Sequence, residues 1–173
     1  MKETKPISHF VAGMILAAIA IVYSTALQFL GLGQSQAMGW ISYIILIGGL
    51  IVFIGMYAKS KEYHVSFGGL FSYGFKTTAI TTLIVVVCML IFFLAFPQFK
   101  EKILEVARKG MEDGGKMSDD QIEQGMAFFS KNFLLFTVGG ALFMYLLLGA
   151  IGSLIGAAVT KKTPVSPLDQ LPS

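Results

Sequence analysis

Four threonines at helical spacing form the densest set of hydroxyl groups in the apolar part of this sequence. They are Thr77, Thr78, Thr81 and Thr82. Within a helix, a threonine hydroxyl ordinarily donates a hydrogen bond to a carbonyl one turn earlier. In a helix that crosses a membrane, the same hydroxyls could instead form the polar lining of a path for a solute. The sequence leaves both interpretations open.

Groups for acid–base or metal chemistry are scarce outside one polar segment. As metal ligands, His9 and His64 would need the carboxylates Glu3 and Glu62 beside them. The only cysteine, Cys88, lies in an apolar run, which argues against a disulfide framework or a thiolate zinc site. The sequence contains no catalytic-triad order, phosphate loop or nucleotide fingerprint. We therefore expect no enzymatic activity, no catalytic residue, no bound metal and no cofactor.

Hydropathy indicates which elements hold these residues. Of the 173 residues, 55% are hydrophobic and 13% are charged, and the mean hydropathy is +0.73. A helix needs about 20 apolar residues to cross the hydrocarbon core of a bilayer. Four runs reach that length, and they lie at about 7–30, 39–58, 77–96 and 133–159. The expected fold is all-α, an integral membrane four-helix bundle that forms one domain over residues 1–173.

The first apolar run has a second interpretation. A basic start with Lys2 and Lys5, an apolar centre and the small residues Ser24-Thr25-Ala26 are also typical of a cleaved signal peptide. The apolar run continues beyond this motif and is longer than a usual signal core. We therefore favour a retained membrane span.

Two residues indicate where the membrane begins. The third run starts at Phe67, and its thirty or so residues exceed one bilayer thickness. Lys76 favours an interfacial segment over 67–76, with its ammonium group reaching the headgroups. Trp40 is predicted to lie at the interface of the second span.

The segment 97–132 is the only long polar stretch and holds more than half of the charged residues. Apolar residues at spacings of three and four predict one amphipathic helix, which Gly114-Gly115 ends. Ser118 and Gln121 form a capping-box pattern at the start of a second helix. We expect an extramembrane helical hairpin, either a docking or sensing surface or a pair packed on its own membrane helices. Its charges nearly cancel, so we expect no nucleic-acid partner.

Small residues recur at helical spacing within the predicted spans, which favours close helix packing. The last span contains a Gly-x-x-x-Gly step, which fits either contacts within one chain or formation of a homo-oligomer. The predicted packing residues are Gly13, Ala17, Gly48, Gly55, Gly149, Gly152, Ser153 and Gly156.

Lysines next to the spans predict the topology, because cytoplasmic loops carry an excess of basic residues. With four spans, one side holds the basic residues of both termini and of the loop between the second and third spans. We therefore expect both termini in the cytoplasm and 97–132 outside it. The proline-containing tail 160–173 is predicted to be disordered.

Three stretches resemble a bacterial family known as domain of unknown function 4199 (DUF4199). They are FGGLFSYGFK at Phe67–Lys76, FPQF at Phe96–Phe99 and GKMSDDQIEQGM at Gly115–Met126. The resemblance covers nearly the whole chain and implies an integral inner-membrane protein of unassigned role. The family supplies no functional residues to transfer.

Two functional hypotheses follow. The first is a non-enzymatic interaction, sensing or scaffolding module in the lipid bilayer, which associates with itself or with a membrane protein partner. The second is a small transporter or permeation subunit for an apolar or lipid-like solute. The central part of every span lacks Asp, Glu, Arg, Lys and His, which argues against proton-coupled transport.

Overall fold

The computed structural model describes residues 6–33 and 35–162, and within these residues the chain is all-α. Its six helices are α1 (His9–Phe29), α2 (Gln36–Ser60), α3 (Phe67–Ala95), α4 (Gln98–Asp113), α5 (Asp119–Lys131) and α6 (Phe133–Val159). Lys2, Lys5 and most of the predicted disordered tail lie outside the described residues.

Four helices, α1, α2, α3 and α6, are long and apolar enough to cross a membrane. The limits of α6 coincide with the predicted span 133–159, and those of α1 and α2 lie within three residues of theirs. α3 is one continuous helix from Phe67, so it includes the segment 67–76 that we assigned to the interface. α1 also continues without a break through Ser24-Thr25-Ala26.

Local residues begin and end these helices. Ser8 and Ser66 cap α1 and α3, because their hydroxyls accept hydrogen bonds from the backbone N–H groups of Val11 and Gly69. α3 ends just before Pro97, whose missing N–H and ring oppose continuation of a helix. Asn132 alone separates α5 from α6.

α3 is the central helix of the bundle, with its main contacts to α6 and α1. α2 packs mainly against α6 and more weakly against α1 and α3. α1 and α3 are parallel, since Tyr73 bonds to Ile7 at one end and Phe29 contacts Phe96 at the other. The helices therefore surround the bundle axis in the order α1, α3, α6, α2.

The interior of the bundle consists of two clusters of buried side chains. One cluster joins residues of all four long helices, and Leu50 and Tyr145 belong to it. The other includes Ile54, Leu70 and Tyr73. On the outside, apolar side chains such as Leu94 are up to 75% exposed. Such a continuous apolar exterior is typical of helices that face lipid, and it indicates a membrane protein.

Candidate functional site

Six of the predicted packing residues lie in contacts between helices. A methyl group at Gly149 would overlap the side chain of Thr78, and one at Gly13 would lie 3.0 Å from the Thr77 carbonyl oxygen. Gly152 and Gly156 each approach a Cα atom of α2 within 3.4 Å of the position that a Cβ would take. Ala17 and Ser153 are fully buried. These contacts lie within one chain.

The remaining two packing residues, Gly48 and Gly55, have a different environment. Apart from the neighbouring backbone of α2 itself, no described atom lies within 4 Å of the position that a Cβ would take at either glycine. Within the described chain, no helix therefore packs closely against this face of α2. A contact seam at Gly48 and Gly55 stays a prediction.

The four threonines of α3 are all buried, and three of them bond to backbone carbonyl oxygens. Thr77 donates to Tyr73 at 2.9 Å and Thr78 to Gly74 at 3.1 Å, each one turn earlier. Thr81 donates to Thr77 at 3.0 Å and also to Gly13 of α1, at 3.2 Å. The Thr81 hydroxyl therefore joins two helices. These bonds favour a packing role for the cluster.

Thr82 is the exception in this cluster. Its hydroxyl oxygen is buried and has no hydrogen-bond partner among the described residues. A buried hydroxyl without a partner is uncommon in proteins. Thr82 lies one helical turn before Val85, which lines the first cavity described below.

A cavity of about 120 Å³, which we call the α1–α3 cleft, lies between α1, α3 and α6. Its lining combines hydroxyl, amide and thiol groups with aromatic and aliphatic side chains. Its lining residues are Ile21, Ser24, Thr25, Gln28, Val85, Cys88, Met89, Phe92, Phe93 and Tyr145. No ionisable carboxylate, amine, guanidinium or imidazole is among them.

A second cavity, the α4–α5 crevice, has a volume of about 340 Å³ and separates two helices that otherwise pack together. It is lined by Leu104 and Arg108 of α4 and by Glu123, Met126, Ala127 and Ser130 of α5. The apolar stripe predicted in α4 is only partly covered, since Phe99 is its only buried member.

An aromatic cluster connects α4 to the bundle. The Phe99 ring lies 5.8 Å from Phe29 of α1 and 5.1 Å from Phe92 of α3, measured between ring centroids. On α6, the Phe133 ring contacts Phe93 at 5.1 Å, and the Lys100 ammonium lies 5.5 Å from its centroid. These contacts attach the α4–α5 pair to the long helices at the start of α4.

The predicted capping box is present at the start of α5. The Ser118 hydroxyl accepts from the Gln121 backbone N–H at 3.4 Å, and the Gln121 side-chain oxygen accepts from the Ser118 N–H at 3.0 Å. Lys76 and Trp40, the two predicted interfacial residues, are exposed on the outside of the bundle. Their depth in a membrane stays a prediction.

The two histidines have different surroundings in the fold. The His9 ring packs edge-on against Tyr73, with 6.5 Å between centroids, and His64 is exposed in the turn before α3. Across residues 6–33 and 35–162, no three His, Cys, Asp or Glu side chains are grouped so that they could hold a metal ion.

Sequence reasoning missed the α1–α3 cleft. The sequence indicates Ser24 and Thr25 as part of a possible signal-cleavage motif, and Cys88 as a residue of an apolar run. Tyr145 received no role at all. Ser24 and Gln28 are four residues apart in an apolar helix, and this polar pair on one face was the available signal.

The described residues define an all-α protein with four helices suited to a membrane and two additional amphipathic helices. The chain belongs to the family described as "Protein of unknown function (DUF4199)", whose model matches residues 12–162. This match confirms the resemblance carried by the three stretches within Phe67–Met126. Among curated proteins and among solved structures, none matches this chain.

Proposed function

We propose that this chain is an integral membrane protein that acts as a non-enzymatic interaction, sensing or scaffolding module. In this proposal α1, α2, α3 and α6 cross the bacterial inner membrane, and both termini lie in the cytoplasm. The α4–α5 pair is then a helical hairpin on the extracytoplasmic side. The apolar exterior of the four long helices and the charged surface of α4 and α5 support this arrangement.

The observation that carries the proposal is the α4–α5 crevice. Its inner surface is apolar at Leu104 and Met126, and opposite charges, Arg108 and Glu123, lie at its edges. An apolar side chain of a partner helix would fill this space, and polar groups of the partner would interact with Arg108 or Glu123. The partner is a second copy of the chain or another membrane protein.

Photo-crosslinking in native membranes tests the docking function. A photoreactive amino acid at Ser130, which lines the crevice, should give a defined adduct, whereas the same group at the exposed Gln124 of α5 should not. Since the chain has a mass of 18.8 kDa, an adduct near twice that mass would identify a homodimer. Ala127→Phe, which fills the crevice, should abolish the Ser130 adduct, whereas Gln124→Phe should preserve it. An equal adduct pattern in both variants would refute docking in the crevice.

The alternative, a transporter or permeation subunit for an apolar or lipid-like solute, has weaker support. Neither of the two cavities has a threonine of the cluster in its lining, and three of the four hydroxyls are bonded to backbone. Solute flux in proteoliposomes tests this alternative. Replacement of all four threonines by alanine should abolish flux if they line a path, and unchanged flux would eliminate that role.

A further inference from the structure

The α1–α3 cleft is a cavity of the bundle, separate from the α4–α5 crevice. We propose that it binds a membrane-soluble molecule whose head is a single uncharged ring with hydrogen-bond-accepting oxygens, as in a lipid quinone. Three features carry this inference: an unpaired hydroxyl on a largely buried tyrosine, a lining without formal charge, and a volume suited to one ring.

The unpaired hydroxyl is that of Tyr145, a residue only 9% exposed that lines the cleft from α6. It has no hydrogen-bond partner among the described residues. By contrast, the hydroxyls of Tyr23 and Tyr73 donate to the backbone oxygens of Met38 and Ile7. The Tyr145 side chain lines the cleft and its O–H has no described partner, so this O–H is available as a donor to a ligand there.

α1 adds further uncharged polar groups to the lining of the cleft. Ser24 and Thr25 supply hydroxyls and Gln28 an amide, and none of these side chains has a hydrogen-bond partner in the described chain. An ionic head would find no counter-charge in the cleft and would pay a high desolvation cost there. Carbonyl or ether oxygens of a neutral head instead match the available donors.

The size of the cleft and its aromatic lining residues favour a ring. A dry cavity of about 150 Å³ lined by Leu, Ile and Phe is known to accommodate benzene. The cleft, at about 120 Å³, is smaller but open on one side, so a substituted ring would be only partly enclosed and would extend through the opening. Phe92 and Phe93 offer aromatic surfaces for offset or edge contacts with such a ring. Ser24 is exposed on the outside of the bundle, so an apolar tail can extend from the cleft into the lipid.

The single cysteine of the chain provides a reporter, because Cys88 lines the cleft. The full-length protein in phosphatidylcholine nanodiscs is treated with N-ethylmaleimide, and the rate of Cys88 alkylation is measured by mass. Duroquinone is the probe, since its fully methylated ring has no open position for thiol addition. Durene, the same methylated ring without the two carbonyl oxygens, is the matched control ligand.

We expect duroquinone to slow Cys88 alkylation at least fivefold, and its removal by dialysis to restore the rate. Durene should protect much less. Tyr145→Phe should weaken duroquinone protection about three- to tenfold, the usual effect of one lost hydrogen bond. Tyr43→Phe is the control variant, because Tyr43 contacts the Tyr145 ring at 6.3 Å but does not line the cleft.

Two results would overturn the proposal. Equal protection by duroquinone and durene would show a cleft that accepts any apolar ring without recognising oxygen. No protection by either compound, in a protein whose helical circular dichroism is native, would show that the cleft takes no such ring. Neither result depends on a protein partner, so failure here is distinguishable from failure of the docking proposal.

Discussion

Gly149 should be the position where an added methyl group harms this bundle most. A Cβ there would lie 2.6 Å from the Thr78 hydroxyl oxygen and 2.8 Å from the Thr78 Cβ, and still closer to the Thr78 methyl. Both residues are buried at the contact between α3 and α6, the most extensive in the molecule. Relief of the overlap therefore requires α3 and α6 to move apart.

The expected magnitude follows from two opposing effects. Replacement of glycine by alanine within a helix favours folding by about 1 kcal/mol. Overpacking of a well-packed interior costs about 1–3 kcal/mol. At Gly139 of α6 nothing lies within 4 Å of the added Cβ, so Gly139→Ala reports the first effect alone. Gly149→Ala should therefore be less stable than Gly139→Ala by about 1–3 kcal/mol.

The assay is reversible unfolding in mixed micelles by increasing sodium dodecyl sulfate, followed by circular dichroism. Thr78→Ala removes the two Thr78 atoms nearest to the added methyl group, so the double variant Thr78→Ala/Gly149→Ala completes a double-mutant cycle. We expect a coupling free energy of about 0.5–3 kcal/mol in favour of the double variant. If Gly149→Ala were as stable as Gly139→Ala, the close approach of α3 and α6 would be refuted.

Three further predictions concern hydrogen bonds, an aromatic anchor and a cap. Thr81→Val should lower the free energy of unfolding by about 0.5–1.5 kcal/mol, because it removes hydrogen bonds to two carbonyl oxygens. Thr82→Val should be neutral or stabilising, because the Thr82 hydroxyl has no described partner. The same unfolding titration measures both variants. Phe99→Ala should accelerate trypsin cleavage after the basic residues of α4 while the four long helices stay intact, and Val106→Ala, at a residue 46% exposed, should not. Ser118→Ala should cost about 1 kcal/mol and speed amide exchange in the first turn of α5, whereas Ser35→Ala should have little effect, because the Ser35 side chain makes no capping bond.

Each of these predictions can fail in a defined way. An equal loss of stability in Thr81→Val and Thr82→Val would contradict the difference in their bonding. Tryptic cleavage as slow in Phe99→Ala as in Val106→Ala would mean that α4 is held by contacts other than the aromatic cluster. Exchange rates in α5 that do not respond to Ser118→Ala would show that the cap contributes nothing measurable.

Much of the secondary structure was predictable because it depends on local chemistry. Uniformly apolar runs of sufficient length specify long helices, and the fourth predicted span coincides with α6. The capping box at Ser118 and Gln121 was also predictable, since it satisfies backbone groups only three residues away. The length of α3 was less predictable, because Lys76 is charged and yet lies on an exposed face of a helix that continues past it.

The candidate sites were less predictable than the helices. The threonines were evident as a cluster, but only their bonding partners distinguish packing from a polar path. The Thr81 hydroxyl reaches Gly13, which is distant in the sequence, and no spacing rule identifies that contact. The α1–α3 cleft likewise combines residues of three helices that the sequence did not connect.

The sequence by itself determined the helical class, the four apolar helices, the polar segment between the last two and the family. These properties arise from composition, periodicity and capping, which act over one or a few helical turns. The tertiary structure alone decided that Gly149 faces Thr78, that Gly48 and Gly55 face away from the bundle, and that Tyr145 faces the cleft without a partner. In uniformly apolar helices the hydrophobic pattern of the sequence does not specify which side faces inward, because lipid and protein interior are equally apolar. Close packing between particular helices determines which side of each helix faces inward.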